Sequence, residues 1–172
     1  IILFLLSIAF GLPMPLTAVQ LLWLNLVTDG IQVIALAFEP AEGTELREAP
    51  RSPNESIFNR LMLERVGISA AVMGCAAFLV YADLLRSSPT AISSRNHLLL
   101  LMVLFENVMI GNARSETRSA FALNLLRNPF LLLATLGALL LHLASMHTPG
   151  FAYILGVSPL SFSEWGKYLL IA

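Results

Sequence analysis

The chain consists of long apolar runs separated by short polar stretches. A helix that crosses the ~30 Å hydrocarbon core of a bilayer needs about 20 mostly apolar residues at ~1.5 Å each. Because the runs lack the two-residue alternation of membrane strands, they predict helices. Four of them are long enough to be complete spans, at about 16–38, 61–85, 97–113 and 129–147, and two shorter ones lie at about 1–12 and 162–172.

Composition supports lipid as the natural solvent of these helices. The chain is 57% hydrophobic and 12% charged, with a mean hydropathy of +0.78, whereas a soluble domain is about a quarter charged. A backbone in lipid must satisfy its hydrogen bonds internally. We therefore predict an all-α fold, a polytopic transmembrane helix bundle embedded in the lipid bilayer as a single domain over 1–172.

The two short runs at the chain ends cannot cross a bilayer alone. The first also lacks the cationic flank and the small-residue cleavage site of a signal peptide. We therefore expect the chain to be a fragment that begins and ends inside helices, with four complete spans and two truncated ones.

The distribution of basic residues predicts the orientation of the bundle. Seven basic residues lie in or beside the 39–60 and 114–128 loops, and three lie on the side of the 86–96 and 148–161 loops. Basic residues favour the cytoplasmic side, so we expect the first two loops to be cytoplasmic and the host membrane to be the plasma (inner) membrane. The 39–60 segment carries several glutamates and is interpreted as a solvated loop. No clustered basic face is present, which excludes a nucleic-acid partner.

A polar stripe interrupts the 16–38 run. Asn25, Thr28 and Asp29 stand at i, i+3 and i+4, and Gln32 follows at i+7, so all four share one helix face. An ionised Asp near the bilayer centre costs on the order of 3 kcal/mol, which favours a cation or proton partner for Asp29. Carboxylate, amide and hydroxyl oxygens are the ligands of hard cations such as Ca²⁺. For Asn25, Thr28 and Gln32, hydrogen bonding to neighbouring helices is an equally open interpretation.

Two further residues extend this candidate site. Gly30 lowers helix propensity by about 1 kcal/mol relative to Ala, so we expect local unwinding that frees backbone carbonyls beside Asp29. Glu106 lies near the middle of the 97–113 run and is predicted to be a second acidic ligand at similar depth. The alternative is a protonated packing residue that hydrogen-bonds Asn107 or Asn112.

Several motifs resemble type-2 P-type cation-transporting ATPases, the family of the calcium and sodium pumps. Residues 13–30, with the Pro-Arg-Ser-Pro segment at 50–53, resemble the family's sixth membrane helix and its following loop. Residues 105–107 and 112–116 look like the eighth helix and its cytoplasmic end, and 127–129 resembles the entry to the ninth. On this resemblance the chain corresponds to helices five to ten.

The resemblance implies specific ligands and missing partners. It implies that Asn25, Thr28 and Asp29 coordinate the transported ion and that Glu106 serves one of two sites, with Ca²⁺ favoured. The phosphorylation and nucleotide-binding domains are absent from the sequence, so Mg²⁺ and ATP would act only in the intact parent, together with its missing N-terminal helices and cytoplasmic domains. The alternatives are a Na⁺, K⁺ or H⁺ pump of the same family and a non-catalytic membrane scaffold or channel module.

Overall fold

The computed structural model describes residues 1–41, 60–87, 90–115 and 123–172, and every regular element in these ranges is helical. The helices are α1 (Ile2–Ala9), α2 (Ala18–Trp23), α3 (Gly30–Leu36), α4 (Arg60–Ser87), α5 (Ala91–Asn112), α6 (Pro129–His147), α7 (Pro149–Leu155) and α8 (Phe162–Ile171). A π-helical stretch joins α2 to α3, and a 3₁₀ turn precedes α6. The predicted all-α class is confirmed for this part of the chain. Most of the two loops predicted to be cytoplasmic, at 42–59 and 116–122, lies outside the described residues.

Three helices in the described ranges are long and apolar enough to cross a membrane. They are Ala18–Leu36, Arg60–Ser87 and Pro129–His147. The fourth predicted span, at 97–113, belongs to α5, which has the length but not the apolarity, because polar side chains occupy its first turns and Glu106 its second half. Since α5 packs against other helices along much of its length, it does not need a continuous apolar surface.

Local signals at the helix ends account for two differences from the predicted boundaries. The Thr90 hydroxyl accepts a hydrogen bond from the Ser93 N–H, so α5 starts several residues before the predicted boundary at 97. Helix α7 lies inside the segment predicted to be the 148–161 loop, and that prediction was wrong. Pro149 begins α7 and Gly156, at φ 63°, ends it, which is the usual distribution of these two residues at helix ends.

The core of the bundle is organised around α5. Its residues Leu98–Leu101 are completely buried, together with Tyr81 of α4 and Tyr168 of α8. The Tyr81 hydroxyl donates to the Pro13 and Met14 carbonyls at 3.2 Å, which fixes the chain just before α2. The helix that carries the polar stripe is therefore held against the most buried helix of the bundle.

Close packing of α4 on α1 depends on Gly74. A Cβ atom added there would lie 2.6 Å from the Ile2 Cβ, closer than packed atoms can approach. We expect Gly74→Ala to lower the free energy of unfolding of the full-length protein in detergent by about 1–2 kcal/mol, since overpacking outweighs the gain in helix propensity. Thermal or denaturant unfolding measures this change.

Gly67 provides the matched control on the same helix. A Cβ atom at Gly67 would meet nothing within 4 Å. Gly67→Ala should therefore be neutral or stabilise the protein by up to ~1 kcal/mol through helix propensity alone. Equal losses in the two variants would contradict the assigned contact between α1 and α4.

Candidate functional site

The candidate site begins with a widened helix at Leu24–Asp29, which is π-helical. The Gly30 N–H donates to the Asn25 carbonyl five residues earlier, and a Cβ atom at Gly30 would lie 3.0 Å from that oxygen. The absence of a side chain at Gly30 therefore leaves room for this carbonyl. The predicted unwinding was wrong: the helix widens without opening, because backbone groups in lipid must keep internal partners. Such π-helical turns are frequent at functional sites.

The predicted polar stripe divides into two edges. Thr28 and Gln32 are 0% and 1% exposed and face the bundle interior, whereas Asn25 and Asp29 lie on the exposed surface of the chain. One edge of the stripe is therefore buried while the other stays open. The Asn25 amide donates to the Leu21 carbonyl of its own helix at 2.9 Å.

Glu106 of α5 approaches the buried edge of this stripe. Its carboxyl group lies close enough to interact with the Thr28 hydroxyl and with the Asp29 charge. The Thr28 hydroxyl and the Glu106 Oε2 atom are nevertheless both buried without a hydrogen bond that meets the usual geometry. Buried polar atoms in this state point to a missing ligand or water. The structure thus brings Thr28, Asp29 and Glu106 together, with Asn25 farther away on the open edge.

The hydrogen bond named in the packing alternative for Glu106 is absent from the part of the chain that the structure describes. No hydrogen bond joins Glu106 to Asn107 or Asn112 among the described residues. The Asn107 amide instead donates to the Val103 carbonyl at 2.6 Å and accepts from Gln32 Nε2 at 2.6 Å. Gln32, a member of the stripe that was not predicted to be a ligand, therefore joins the site's helix to α5.

The donor set suits a hard cation only in part. Across residues 1–41, 60–87, 90–115 and 123–172, no three His, Cys, Asp or Glu side chains come together. The two carboxylates, of Asp29 and Glu106, would be joined by neutral oxygens from Thr28 and Asn25. Ca²⁺ takes about 6–8 oxygen ligands, so this chain supplies part of such a shell. The exposed edge with Asn25 and Asp29 is open to ligands from elsewhere.

Contacts between α3 and α5 show that the two helices run parallel. Gln32 pairs with Asn107, and Glu39 pairs with Arg114, so both pairs are 75 residues apart. Their C-terminal ends therefore lie at the same end of the bundle, next to the 39–60 and 114–128 loops. The side of the membrane that this end faces stays a prediction.

Glu39 differs from its predicted environment. It was interpreted as part of a solvated loop, but its carboxylate makes an ion pair with Arg114 at 2.9 Å, and its side chain is only 13% exposed. Sequence reasoning missed this pair because the two residues are far apart along the chain. The remaining glutamates of that segment, from Glu42 onward, lie outside the described residues.

The family model and three similar proteins agree on one protein family. Residues 13–172 match the family model described as "Cation transporting ATPase, C-terminus". A calcium-transporting ATPase of Plasmodium falciparum is 33% identical over 90% of the chain, and one of Bacillus subtilis is 30% identical over 96%. The mouse calcium-transporting ATPase type 2C member 2 is 33% identical over 84% of the chain.

These relatives are much longer than the chain. The matched region covers 16%, 18% and 15% of their respective lengths. The match includes the polar stripe and α5, which carry the candidate site, and all later helices. The chain belongs to the cation-transporting P-type ATPases, as the C-terminal membrane region of a type-2 member.

Proposed function

We propose that this chain is the part of an ATP-driven calcium pump that supplies intramembrane ligands to the transported cation. The observation that carries the proposal is the convergence of Thr28, Asp29 and Glu106 from two helices, with buried oxygens of Thr28 and Glu106 left unbonded. In the membrane, two neighbouring carboxylates repel each other and are costly to ionise unless a cation or proton lies between them.

A divalent ion fits this chemistry well. Two carboxylates carry two negative charges, which match the charge of Ca²⁺, and Thr28 and Asn25 add neutral oxygens to this partial ligand set. The names of the three relatives above state calcium transport. Asn25, Thr28, Asp29 and Glu106 are the proposed ligands of the ion.

The remaining activities of the pump are assigned to other parts of the protein. ATP and Mg²⁺ would bind outside this chain, and further membrane helices would close the exposed edge that carries Asn25 and Asp29. We place the 39–60 and 114–128 loops in the cytoplasm and the protein in the plasma (inner) membrane. The abundance of basic residues near these loops supports this orientation.

A metal-dependence assay tests the proposed function. The full-length protein is placed in sealed membrane vesicles, and phosphorylation by ATP is measured against free Ca²⁺, Na⁺, K⁺ and pH. We expect Ca²⁺ alone to drive phosphorylation, with Ca²⁺ uptake into the vesicles. Stimulation by Na⁺ or K⁺, or a dependence on pH without a Ca²⁺ response, would assign the site to a different ion. Absence of any ion-dependent phosphorylation would indicate a non-catalytic membrane module.

A further inference from the structure

The end of α3 is fixed to the end of α5 by a bidentate ion pair. Arg114 Nε donates to Glu39 Oε2 at 3.0 Å, and Arg114 Nη2 donates to Glu39 Oε1 at 2.9 Å. The Arg114 side chain is 3% exposed. A paired guanidinium and carboxylate in this geometry fix both distance and orientation, unlike a single contact between mobile surface charges.

Asn128 connects the same carboxylate to α6. Its Nδ2 atom donates to the Ala35 carbonyl at 3.1 Å and to Glu39 Oε2 at 3.0 Å. Its Oδ1 atom accepts the Leu131 N–H at 2.9 Å, which caps the first turn of α6. Asn128 is itself 1% exposed, and we call Glu39, Arg114 and Asn128 the anchor cluster.

The anchor cluster is charged at neutral pH. Burial alone would raise the pKa of Glu39, but hydrogen bonds from Arg114 and Asn128, with the charges of Arg114 and Arg127, outweigh it and lower the pKa below 4.5. A lowered carboxyl pKa stabilises the fold above the usual titration range, and this contribution disappears only as the pH falls through the lowered value. The Glu39 carboxylate is therefore ionised at neutral pH and can pair with Arg114.

A small apolar core lies next to the anchor cluster. Ala35 of α3, Ile110 of α5 and Leu131 of α6 are buried together there. Each residue follows or precedes a member of the anchor cluster by three or four positions, about one helical turn. The polar contacts of the anchor cluster thus lie one turn from a small apolar contact among the same three helices.

The same face of α3 leads directly to the candidate cation site. One turn before Ala35, Gln32 donates to Asn107 at 2.6 Å, and one turn earlier Thr28 lies beside Glu106. Helix α3 ends at Leu36, eight residues after Thr28 (36 − 28), about 12 Å away at ~1.5 Å per residue. The Glu39 N–H still donates to the Leu36 carbonyl at 2.9 Å, so a shift at Glu39 is transmitted through this hydrogen-bonded segment toward Thr28.

We propose that Glu39, Arg114 and Asn128 are positioning residues for the cation site. They hold α3 at one height and rotation against α5, so that Thr28 and Asp29 stay beside Glu106 and the site is formed before the ion arrives. This inference rests on the proposed cation-binding function. Without the cluster, part of the free energy of ion binding is used to order the helices, so the affinity for the ion falls. The phosphorylation domain itself is unchanged.

The test compares three variants of the full-length protein, Glu39→Gln, Arg114→Gln and the double variant. For each, phosphorylation by ATP is measured against free Ca²⁺. We expect each single variant to raise the Ca²⁺ concentration for half-maximal phosphorylation roughly 3- to 30-fold, with the maximum at saturating Ca²⁺ retained. The double variant should show a smaller shift than either single variant, because no buried charge is left unpaired.

The ion pair of Arg60 with Glu64 provides the matched control. It is equally short, at 2.7 Å, but its side chains are 93% and 52% exposed. Glu64→Gln should leave the half-maximal Ca²⁺ concentration unchanged. An equal shift in Glu64→Gln, or a folded Glu39→Gln protein with unchanged Ca²⁺ dependence, would overturn the proposal.

A folding defect and a failure of the proposed function give different experimental results. If the single variants do not fold, Ca²⁺ dependence is measured in the folded double variant instead. Wild-type Ca²⁺ affinity in the double variant would overturn the positioning role. Loss of folded protein in all three variants would assign the cluster to folding alone, which also overturns the proposal. A wild-type protein without Ca²⁺-dependent phosphorylation would instead refute the proposed function itself.

Discussion

Asp29→Asn should raise the cation concentration for half-maximal phosphorylation of the full-length protein by at least ~100-fold, or abolish the response. That factor is the upper end of the loss caused by mutating residues that merely support a ligand, and a charged ligand should cost no less. Asp29 makes no hydrogen bond or ion pair with another described residue, so its carboxylate is free to bind an ion. Asn preserves volume and removes the charge, so expression should hold or improve.

The same experiment distinguishes two roles of Asp29, as a ligand of the cation or as one partner of a structural ion pair. Phosphorylation is measured against free cation, and the folded fraction is measured by size-exclusion chromatography in detergent. Breaking a buried ion pair would destabilise folding by about 3–5 kcal/mol, so a loss of folded protein would favour the structural role. Normal cation binding and occlusion by well-folded Asp29→Asn protein would exclude Asp29 as a ligand. Asp83→Asn, the same chemical change at an exposed acid of α4, should have no effect.

The polar stripe shows how far periodicity alone can define a site. Spacing predicts one polar face for Asn25, Thr28, Asp29 and Gln32. It cannot tell which edge of the stripe is buried, because that depends on where α5 packs. Periodicity also misses the π-helical turn. In that turn the Asn25 carbonyl lies against Gly30, in the space that a side chain would occupy.

Helix α5 shows the corresponding limit of hydropathy. Average apolarity identifies helices that contact lipid, but α5 is the centre of the bundle and contacts mainly other helices. Its polar residues are tolerated because Asn96 donates to Ser158 and Asn107 accepts from Gln32. Partners that are 62 and 75 residues apart cannot be read from a local window. Helix α7, in contrast, has local signals at both ends, Pro149 and Gly156, although the segment was predicted to be a loop.

Two kinds of contact, apolar packing and polar pairs, form the site. Apolar packing around α5 holds the helices together by van der Waals contact, because lipid provides no hydrophobic drive between membrane helices. Polar pairs at successive turns, from Gln32 and Asn107 to Glu39 and Arg114, then select one register. The parallel arrangement of α3 and α5 puts one acid on each helix at the same depth, which neither helix achieves alone.

Glu106→Gln should raise the half-maximal cation concentration about 10- to 100-fold while leaving the protein folded. Gln keeps the shape of Glu and one acceptor oxygen, but it removes one of the two charges that face the ion. Because it also removes the repulsion between Glu106 and Asp29, the protein without cation should be at least as stable as the wild type. Phosphorylation against free Ca²⁺ measures the affinity, and thermal unfolding in Ca²⁺-free buffer measures the stability.

The double variant Asp29→Asn/Glu106→Gln determines whether both acids bind the same ion. If they share one ion, the losses should fall well short of additive, because the second substitution acts on a site that has already lost most of its affinity. Additive losses would place the two acids at separate ions. Full activity of folded Glu106→Gln at unchanged cation affinity would make Glu106 a packing residue. In that case the acidic partner of Asp29 would come from outside this chain, on the exposed edge of the stripe.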